Sequence, residues 1–299
     1  MNLEHSIAIV VLVYNSFNDA QICVDQLLKL DMGYHIIVVD NCSTDGAYEQ
    51  LVSQYSGAPS VDLLKTSSNK GYSAGNNFGI RYAMRRYSVD TVAVMNPDVF
   101  IPNGSVIRNL VKLLWSHNDV LAVGGQPINH TQNDCIWISS WSLPSDRETV
   151  LNHLMIRHSA RTDISTEISP GIFKVDCIVG CFFLAKAGLF AEIGLFDENV
   201  FLYNEENILG VKCRRAGMSL LVDKNQIYYH NHSKKADREK ALSRKLMEQK
   251  AGYESRKYFV STYYSPALVC PLAAVEGINR LILILVHIKN SVLRIRQNL

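Results

Sequence analysis

Hydrophobic and polar positions follow two alternating periods along most of this chain. Ile7-Ala8-Ile9-Val10-Val11-Leu12-Val13 is an unbroken apolar, β-branched run, the pattern of a strand buried on both faces, and it stops at Tyr14-Asn15-Ser16. Ile22, Val24, Leu27, Leu28 and Leu30 then supply the apolar face of a helix, with Asn18 as its expected cap and Gly33 as its break. His35 to Val39 reads as a second buried strand running into Asp40-Asn41-Cys42-Ser43-Thr44-Asp45-Gly46. A helix to about Tyr55, a short strand from Val61 to Leu64, a small-residue helix from Gly71 through Arg86 and a strand from Thr91 to Met95 complete this half. Strand and helix in strict alternation argue for a parallel sheet with right-handed crossovers.

The second half is less regular. A helix from Pro102-Asn103-Gly104-Ser105 to about His117 carries Val106, Leu110, Leu113 and Leu114 on one face, and Val120 to Gly124 reads as a strand. From Pro127 to Pro170 the period fades into a loop-rich insert holding Trp137, Trp141, His153 and His158. Val175 to Leu184 is a strand interrupted by Gly180, and a helix ending at Ala216 is stopped by Gly217. Ile227 to Ser233 is a short strand ending in His230 and His232. A charged helical stretch, Lys234 to Arg256, leads to the apolar run Ala267 to Ile288, which Pro271, Glu276, Asn279 and Arg280 interrupt.

Composition changes this picture little: 299 residues, 47% hydrophobic and 19% charged, describe a globular protein. Charge distribution changes it more. The net charge is only +2, but Lys234 to Leu299 hold 13 Lys or Arg against 5 Asp or Glu, so a basic tail follows a mildly acidic body. Such a tail points to an anionic partner. No nucleic-acid motif accompanies it, which leaves an anionic membrane surface, or packing within the chain or across a homodimer. On a helix, Glu276, Asn279, Arg280 and His287 share roughly one side, the arrangement of an interfacial rather than a spanning helix. Seven scattered cysteines without a CxxC pair indicate neither a disulfide framework nor a zinc knuckle, and Ile7 to Val13 lacks the basic flank of a signal peptide.

Polar clusters close four successive strands or lie on adjacent loops: Tyr14-Asn15, Asp40 to Asp45, Asn69 to Asn77, and Asn96 to Asp98. In an open α/β sheet these gather along one edge, where ligands bind. Pro97 ends a strand, and Asp98 just beyond it suits a divalent cation carrying a phosphate, or else the turn only satisfies local backbone. Gly71, Ser73, Ala74, Gly75 and Gly79 allow close approach of an anion at a helix amino terminus, or only tight helix packing. Glu205 and Glu206 either complement a helix dipole or supply a general base. His230 at a strand end is either structural or a metal ligand.

Taken together, Val11-Leu12-Val13-Tyr14-Asn15, Val38-Val39-Asp40-Asn41-Cys42-Ser43-Thr44-Asp45, Asn69-Lys70-Gly71 to Gly79 and Met95-Asn96-Pro97-Asp98 resemble the family 2 glycosyltransferases, and among them bacterial rhamnosyltransferase-like members of polysaccharide biosynthesis. The resemblance implies a GT-A fold, a mostly parallel Rossmann-like sheet flanked by helices. It implies that Val13, Tyr14, Asn15, Asp40, Asn41 and Ser43 hold the base and ribose of a sugar nucleotide, and that Asn69, Lys70, Gly71 and Asn76 line the donor site. Asp98 falls at the metal position of the family's DxD motif, with Asn96 in place of its first Asp and still beside the donor. Glu206 falls where the family places its catalytic Asp, Glu205 precedes it, and His230 matches a histidine near the diphosphate and metal. Trp137 and Trp141 either stack on sugar rings or pack.

The implied organisation is a nucleotide-sugar-binding half over 1–110, an acceptor and catalytic half over 111–235, and a helical extension over 236–299. The implied activity is inverting transfer from a UDP- or dTDP-sugar, with Mn or Mg, to a saccharide acceptor that is lipid-linked, on the cytoplasmic face of the plasma membrane. A sugar nucleotidyltransferase would carry a Gly-rich basic signature after the first strand, which is absent here; a non-catalytic scaffold keeping the fold is the other alternative.

Overall fold

A computed structural model describes residues 5–129, 135–154, 165–231 and 242–297. His158, His232 and Ser233, and the first charged residues of the tail, lie outside them. In chain order the strands and helices are β1 (Ile7–Val13), α1 (Phe17–Leu30), β2 (His35–Asp40), α2 (Ala47–Tyr55), β3 (Val61–Lys65), α3 (Tyr72–Tyr87), β4 (Thr91–Met95), β5 (Val99–Phe100) and α4 (Gly104–Trp115). There follow β6 (Val120–Asn129), β7 (Cys135–Ile136), β8 (Ser140–Trp141), α5 (Asp146–Leu151), β9 (Thr166–Ser169), β10 (Ile172–Val175), β11 (Cys177–Ile178) and β12 (Phe182–Lys186). The last are α6 (Ala187–Glu192), α7 (Glu205–Arg215), β13 (Ser219–His230), α8 (Leu242–Tyr263) and α9 (Val269–Gln297).

The chain divides into two compact units, the first Met1–Leu143, Thr162–Phe201 and Glu205–Ser233, the second Pro144–Arg161, Leu202–Asn204 and Lys234–Leu299. The first is built on a sheet of order β3-β2-β1-β4-β12-β6-β13-β10-β9. Strands β3, β2, β1 and β4 are parallel, β12 inserts antiparallel between β4 and β6, and β6 and β13 are parallel again. The unbroken apolar strands have a direct cause. In β1, Ile7, Ile9, Val11 and Val13 enter a core with α1, α2 and α4, while Ala8 and Val10 enter a second core with α3, α6 and α7. Both faces are covered, so both sets of side chains must be apolar.

Several elements differ from their expected bounds, among them the run Val175 to Leu184, which is divided among the end of β10, β11 and β12, and the charged helix, which continues to Tyr263. Helix α1 starts at Phe17 rather than after Asn18, because the left-handed turn at Asn15 (φ +51°) already redirects the chain. Strand β6 runs on to Asn129. Strand β13 begins at Ser219, not Ile227; its pairing with β6 shifts register between Val222 and Ile227, and that irregularity absorbs the polar Asp223 to Gln226. The insert holds short elements, among them α5, which is closed by a Ser145–Glu148 capping box.

In the second unit α5, α8 and α9 share a small core of Val150, Val260 and Leu272. Two of the residues that interrupt the apolar tail, Glu276 and Asn279, point into this unit, while Arg280 is exposed. Glu276 meets buried His153 Nε2 at 3.0 Å, Gln249 Nε2 at 2.8 Å and Arg280 Nε at 2.8 Å, while Asn279 Nδ2 donates to His153 O at 2.7 Å. Burial, then Arg256, lower the His153 pKa, and Glu276 opposes them. The opposite side of α9, with Ile278, Leu281, Ile284, Leu285 and Val286, is exposed.

Candidate active site

The carboxyl ends of the parallel strands bring the expected loops together through side chain-to-backbone hydrogen bonds. Asn15 N donates to Ser43 Oγ (2.9 Å), and Asn15 Oδ1 accepts from Thr44 N (2.8 Å). Val13 O accepts from Asn41 N at 2.7 Å, tying β1 to the end of β2. Asn41 Nδ2 in turn donates to Asn69 Oδ1 (3.0 Å) and to Gly71 O (3.1 Å), and Gly71 N closes the ring on Asn69 Oδ1 (2.9 Å). Asn15, Asp40, Asn41, Ser43, Asn69 and Gly71 thus form one connected lining, with Tyr14 and Lys70 exposed beside it.

Among the described residues, three buried polar atoms of this region have no protein partner: Asp40 Oδ1, Asn76 Oδ1 and Ser73 Oγ. Asp40 is fully buried and takes Ser43 N on Oδ2 at 3.0 Å, yet its Oδ1 receives no donor. Asn76, fully buried, donates to Tyr72 O at 3.0 Å and its Oδ1 is likewise unfilled. A buried acceptor without a donor costs about 1–3 kcal/mol, so the Asp40 and Asn76 oxygens suit N–H or O–H groups brought by a ligand or water.

Gly71 is the tightest point of the lining. Its backbone (φ +94°, ψ −175°) is accessible to glycine alone, and a Cβ there would stand 2.0 Å from Phe201 O. This approach lets Tyr72 N donate to Phe201 O at 3.0 Å, joining the loop before α3 to the segment before α7.

The second cluster forms at Asn96-Pro97-Asp98. Asn96 N donates to Cys181 O (2.8 Å), and pairing of β5 with β13 sets Val99 opposite His230. Asp98 Oδ1 lies 3.2 Å from His230 Nε2, and Asn231 N donates to Asp98 O at 3.1 Å. Burial alone would lower the His230 pKa; hydrogen bonding to Asp98 and Cys181 outweighs it and raises it to about 10. Asp19, on α1, is raised by burial and by the Asp98 charge. The Trp137 ring meets His230 edge-on at 5.0 Å, whereas Trp141 is buried and donates to Asn207 Oδ1 at 2.9 Å, so its role is packing.

A divalent cation fits Asp98 with His230 only in part. Among the described residues no group of three or more His, Cys, Asp or Glu could hold a metal. One carboxylate and one imidazole are nevertheless a workable protein share for Mn or Mg, because such ions take their remaining oxygens from phosphate and water.

The third cluster is at the start of α7, which Tyr203 and Asn204, at φ +73° and +67°, precede. Glu205 is buried and Glu206 is half-buried. Glu206 Oε1 accepts from Gly180 N at 3.2 Å. Sequence reasoning passed over Gly180-Cys181 as an interrupted strand. In the structure it is the crossing point, for Gly180 O accepts from Tyr72 Oη (2.6 Å) and Cys181 O from Asn96 N (2.8 Å). Its contribution is mainly main-chain, so the only sequence signal was the glycine itself.

The chain is similar to known proteins at the level of family and fold. The profile described as Glycosyl transferase family 2 matches residues 8–186, more than half of the chain. An N-acetylglucosaminyl-diphospho-decaprenol L-rhamnosyltransferase from Mycobacterium tuberculosis is 29% identical over 209 residues, 65% of this chain and 66% of that enzyme, so the match spans just under two thirds of the relative's length. A mannosyltransferase from Pyrobaculum calidifontis, solved with GDP-Man and Mn2+, superposes with a TM-score of 0.54 at 16% identity over 98% of this chain and 83% of its own. GalNAc-T7, solved with UDP, GalNAc and Mn2+, gives 0.57 at 14% identity over 76% of this chain and 44% of its own. The GT-A fold expected from the motifs is therefore the fold observed, and the chain belongs to glycosyl transferase family 2.

Proposed function

We propose that this protein is an inverting glycosyltransferase that moves a sugar from a nucleoside-diphosphate donor to a lipid-linked saccharide during surface-polysaccharide assembly. One observation carries the reading. Half-buried Glu206 is hydrogen-bonded to the Gly180-Cys181 segment, which also bonds the donor loop at Tyr72 and the Asn96 turn. Base, donor lining and metal position thereby meet at two consecutive residues.

Glu206 takes the proton of an acceptor hydroxyl as that oxygen attacks the anomeric carbon. The bond to the nucleoside diphosphate breaks on the opposite face, its electron pair leaves with the diphosphate, and the anomeric configuration inverts. Asn15, Asp40, Asn41 and Ser43 hold the base and ribose, with Val13 and Tyr14 alongside, while Asn69, Lys70, Gly71, Asn76 and Asn96 line the sugar and diphosphate. Asp98, with His230, would hold a divalent cation, which supplies charge neutralisation of the departing diphosphate. Support for donor and acceptor class comes from the mycobacterial relative, named for rhamnosyl transfer to a diphospho-decaprenol-linked sugar.

The tail supports a site on the cytoplasmic membrane face. Pro266–His287 is long and apolar enough to cross a membrane, and only 17% of its most apolar stretch is buried within the protein. Glu276 and Asn279 face into the second unit, leaving one apolar side, with Lys289, Arg294 and Arg296 following in sequence. A one-sided apolar helix with basic residues suits an anionic bilayer surface.

The test is incubation with dTDP-L-rhamnose, UDP-glucose, UDP-N-acetylglucosamine or GDP-mannose and Mn2+, following nucleoside diphosphate release by mass spectrometry. One donor is expected to hydrolyse slowly, and Glu206→Gln to slow it by roughly 100-fold or more. Transfer with retained anomeric configuration, or full activity in Glu206→Gln, overturns the mechanism; no turnover or binding of any donor favours a scaffold.

A further inference from the structure

Tyr72 is the first residue of α3 and stands between the donor lining and the two glutamates. Its backbone N–H bonds Phe201 O at 3.0 Å, and its hydroxyl donates to Gly180 O at 2.6 Å. Gly180 presents its own N–H to Glu206 Oε1 at 3.2 Å. The ring is wedged edge-on against Phe196, centroids 5.6 Å apart, so the hydroxyl has little freedom to swing away. A Cβ on Gly180 would lie 3.1 Å from Glu206 Oε1 and 3.4 Å from Tyr72 Oη, so absence of a side chain permits the bridge. Burial, then the charges of Glu206 and Glu205, push the Tyr72 phenol well above its ordinary pKa. It therefore stays protonated and remains a donor to Gly180.

The other end of Tyr72 belongs to the donor lining. Gly71, its neighbour, accepts Asn41 Nδ2 on its carbonyl and donates to Asn69 Oδ1. An ordered lining fixes Gly71, Gly71 fixes Tyr72, and Tyr72 fixes the Gly180 backbone that aims Glu206. We propose that Tyr72 is a positioning residue that couples the donor loop to the base, holding Glu206 for proton removal through the Gly180 backbone. The inference rests on Glu206 being the base.

The experiment is a double-mutant cycle of Tyr72→Phe and Glu206→Gln, read by hydrolysis of whichever donor the wild type turns over and by binding of UDP and dTDP with Mn2+. Tyr72→Phe is expected to lower kcat roughly 10- to 100-fold while nucleotide Kd stays within about threefold. In the Glu206→Gln background it is expected to cost nothing more, because the group it positions is already gone. If Tyr72→Phe loses fold stability, Gly180→Ala replaces it, with the same split between kcat and Kd and the same lack of effect on Glu206→Gln. An equal further loss in the Glu206→Gln background would show that Tyr72 acts independently of the base and would overturn the inference alone. Full activity of Glu206→Gln by itself would remove the base reading and the inference with it.

Discussion

Replacing Gly71 by alanine tests how the site is assembled. At φ +94° and ψ −175° an L side chain is strained by about 1–3 kcal/mol before any contact is considered. The new Cβ would also stand 2.0 Å from Phe201 O, 2.6 Å from its carbon and 2.7 Å from its Cα, all backbone atoms that cannot rotate away. The two segments must part by roughly 1 Å, which breaks the Tyr72 N to Phe201 O bond and adds roughly 1 kcal/mol. The total, about 2–4 kcal/mol, corresponds to a Tm lower by about 3–6 °C in a protein of this size. Because Tyr72 is the next residue, turnover should fall by roughly 100-fold even at temperatures where the variant is folded. Gly188→Ala is the internal control: it lies within α6, nothing stands within 4 Å of its Cβ position, and the change should stabilise by about 0.5–1 kcal/mol. Thermal unfolding and donor hydrolysis read both variants. A Gly71→Ala protein with the parent Tm and turnover would refute the reasoning.

The Asp98–His230 pair makes a signed pH prediction. With the folded pKa of His230 raised from 6.5 to about 10, the pair's stabilisation is complete below the unfolded value and is lost as pH rises toward 10. Metal-free protein should therefore lose Tm between those limits, and Asp98→Asn should flatten that slope; a cation binding His230 must displace its proton, so Mn2+ affinity measured by calorimetry should rise over the same window. A pH-independent affinity would count against His230 as a ligand. Asn77 is buried and bonds both Phe196 N (3.1 Å) and Phe196 O (2.9 Å), so Asn77→Ala strands two backbone groups and should cost about 2–4 kcal/mol by urea unfolding. On the exposed side of α9, Leu281→Glu with Leu285→Glu should abolish sedimentation with anionic phosphatidylglycerol vesicles while leaving donor hydrolysis unchanged; equal sedimentation of parent and variant would remove the membrane reading.

Much of this was legible in the chain because its causes are local. Ile7 to Val13 reads as a doubly buried strand since consecutive side chains enter opposite cores, and the polar clusters at successive strand ends follow from the parallel register that carries those ends to one edge. What escaped depends on partners far away in sequence. Asp223 to Gln226 look like a loop but lie in a strand irregularity, and Glu276 looks like a flaw in an apolar helix but pairs with His153, 123 residues earlier. Gly180-Cys181 escaped for a different reason. Its backbone groups meet Tyr72, Glu206 and Asn96, and main-chain hydrogen bonds leave no residue signature. This bears on the substitution of Asn96 for a first carboxylate. The Asn96 backbone N–H is what anchors the turn to Cys181, a task any residue other than proline performs, so the turn tolerates asparagine while Asp98 keeps the carboxylate beside His230. The turn is therefore held by the Asn96 backbone, which leaves the Asn96 side chain and the Asp98 carboxylate as its two chemically distinct groups.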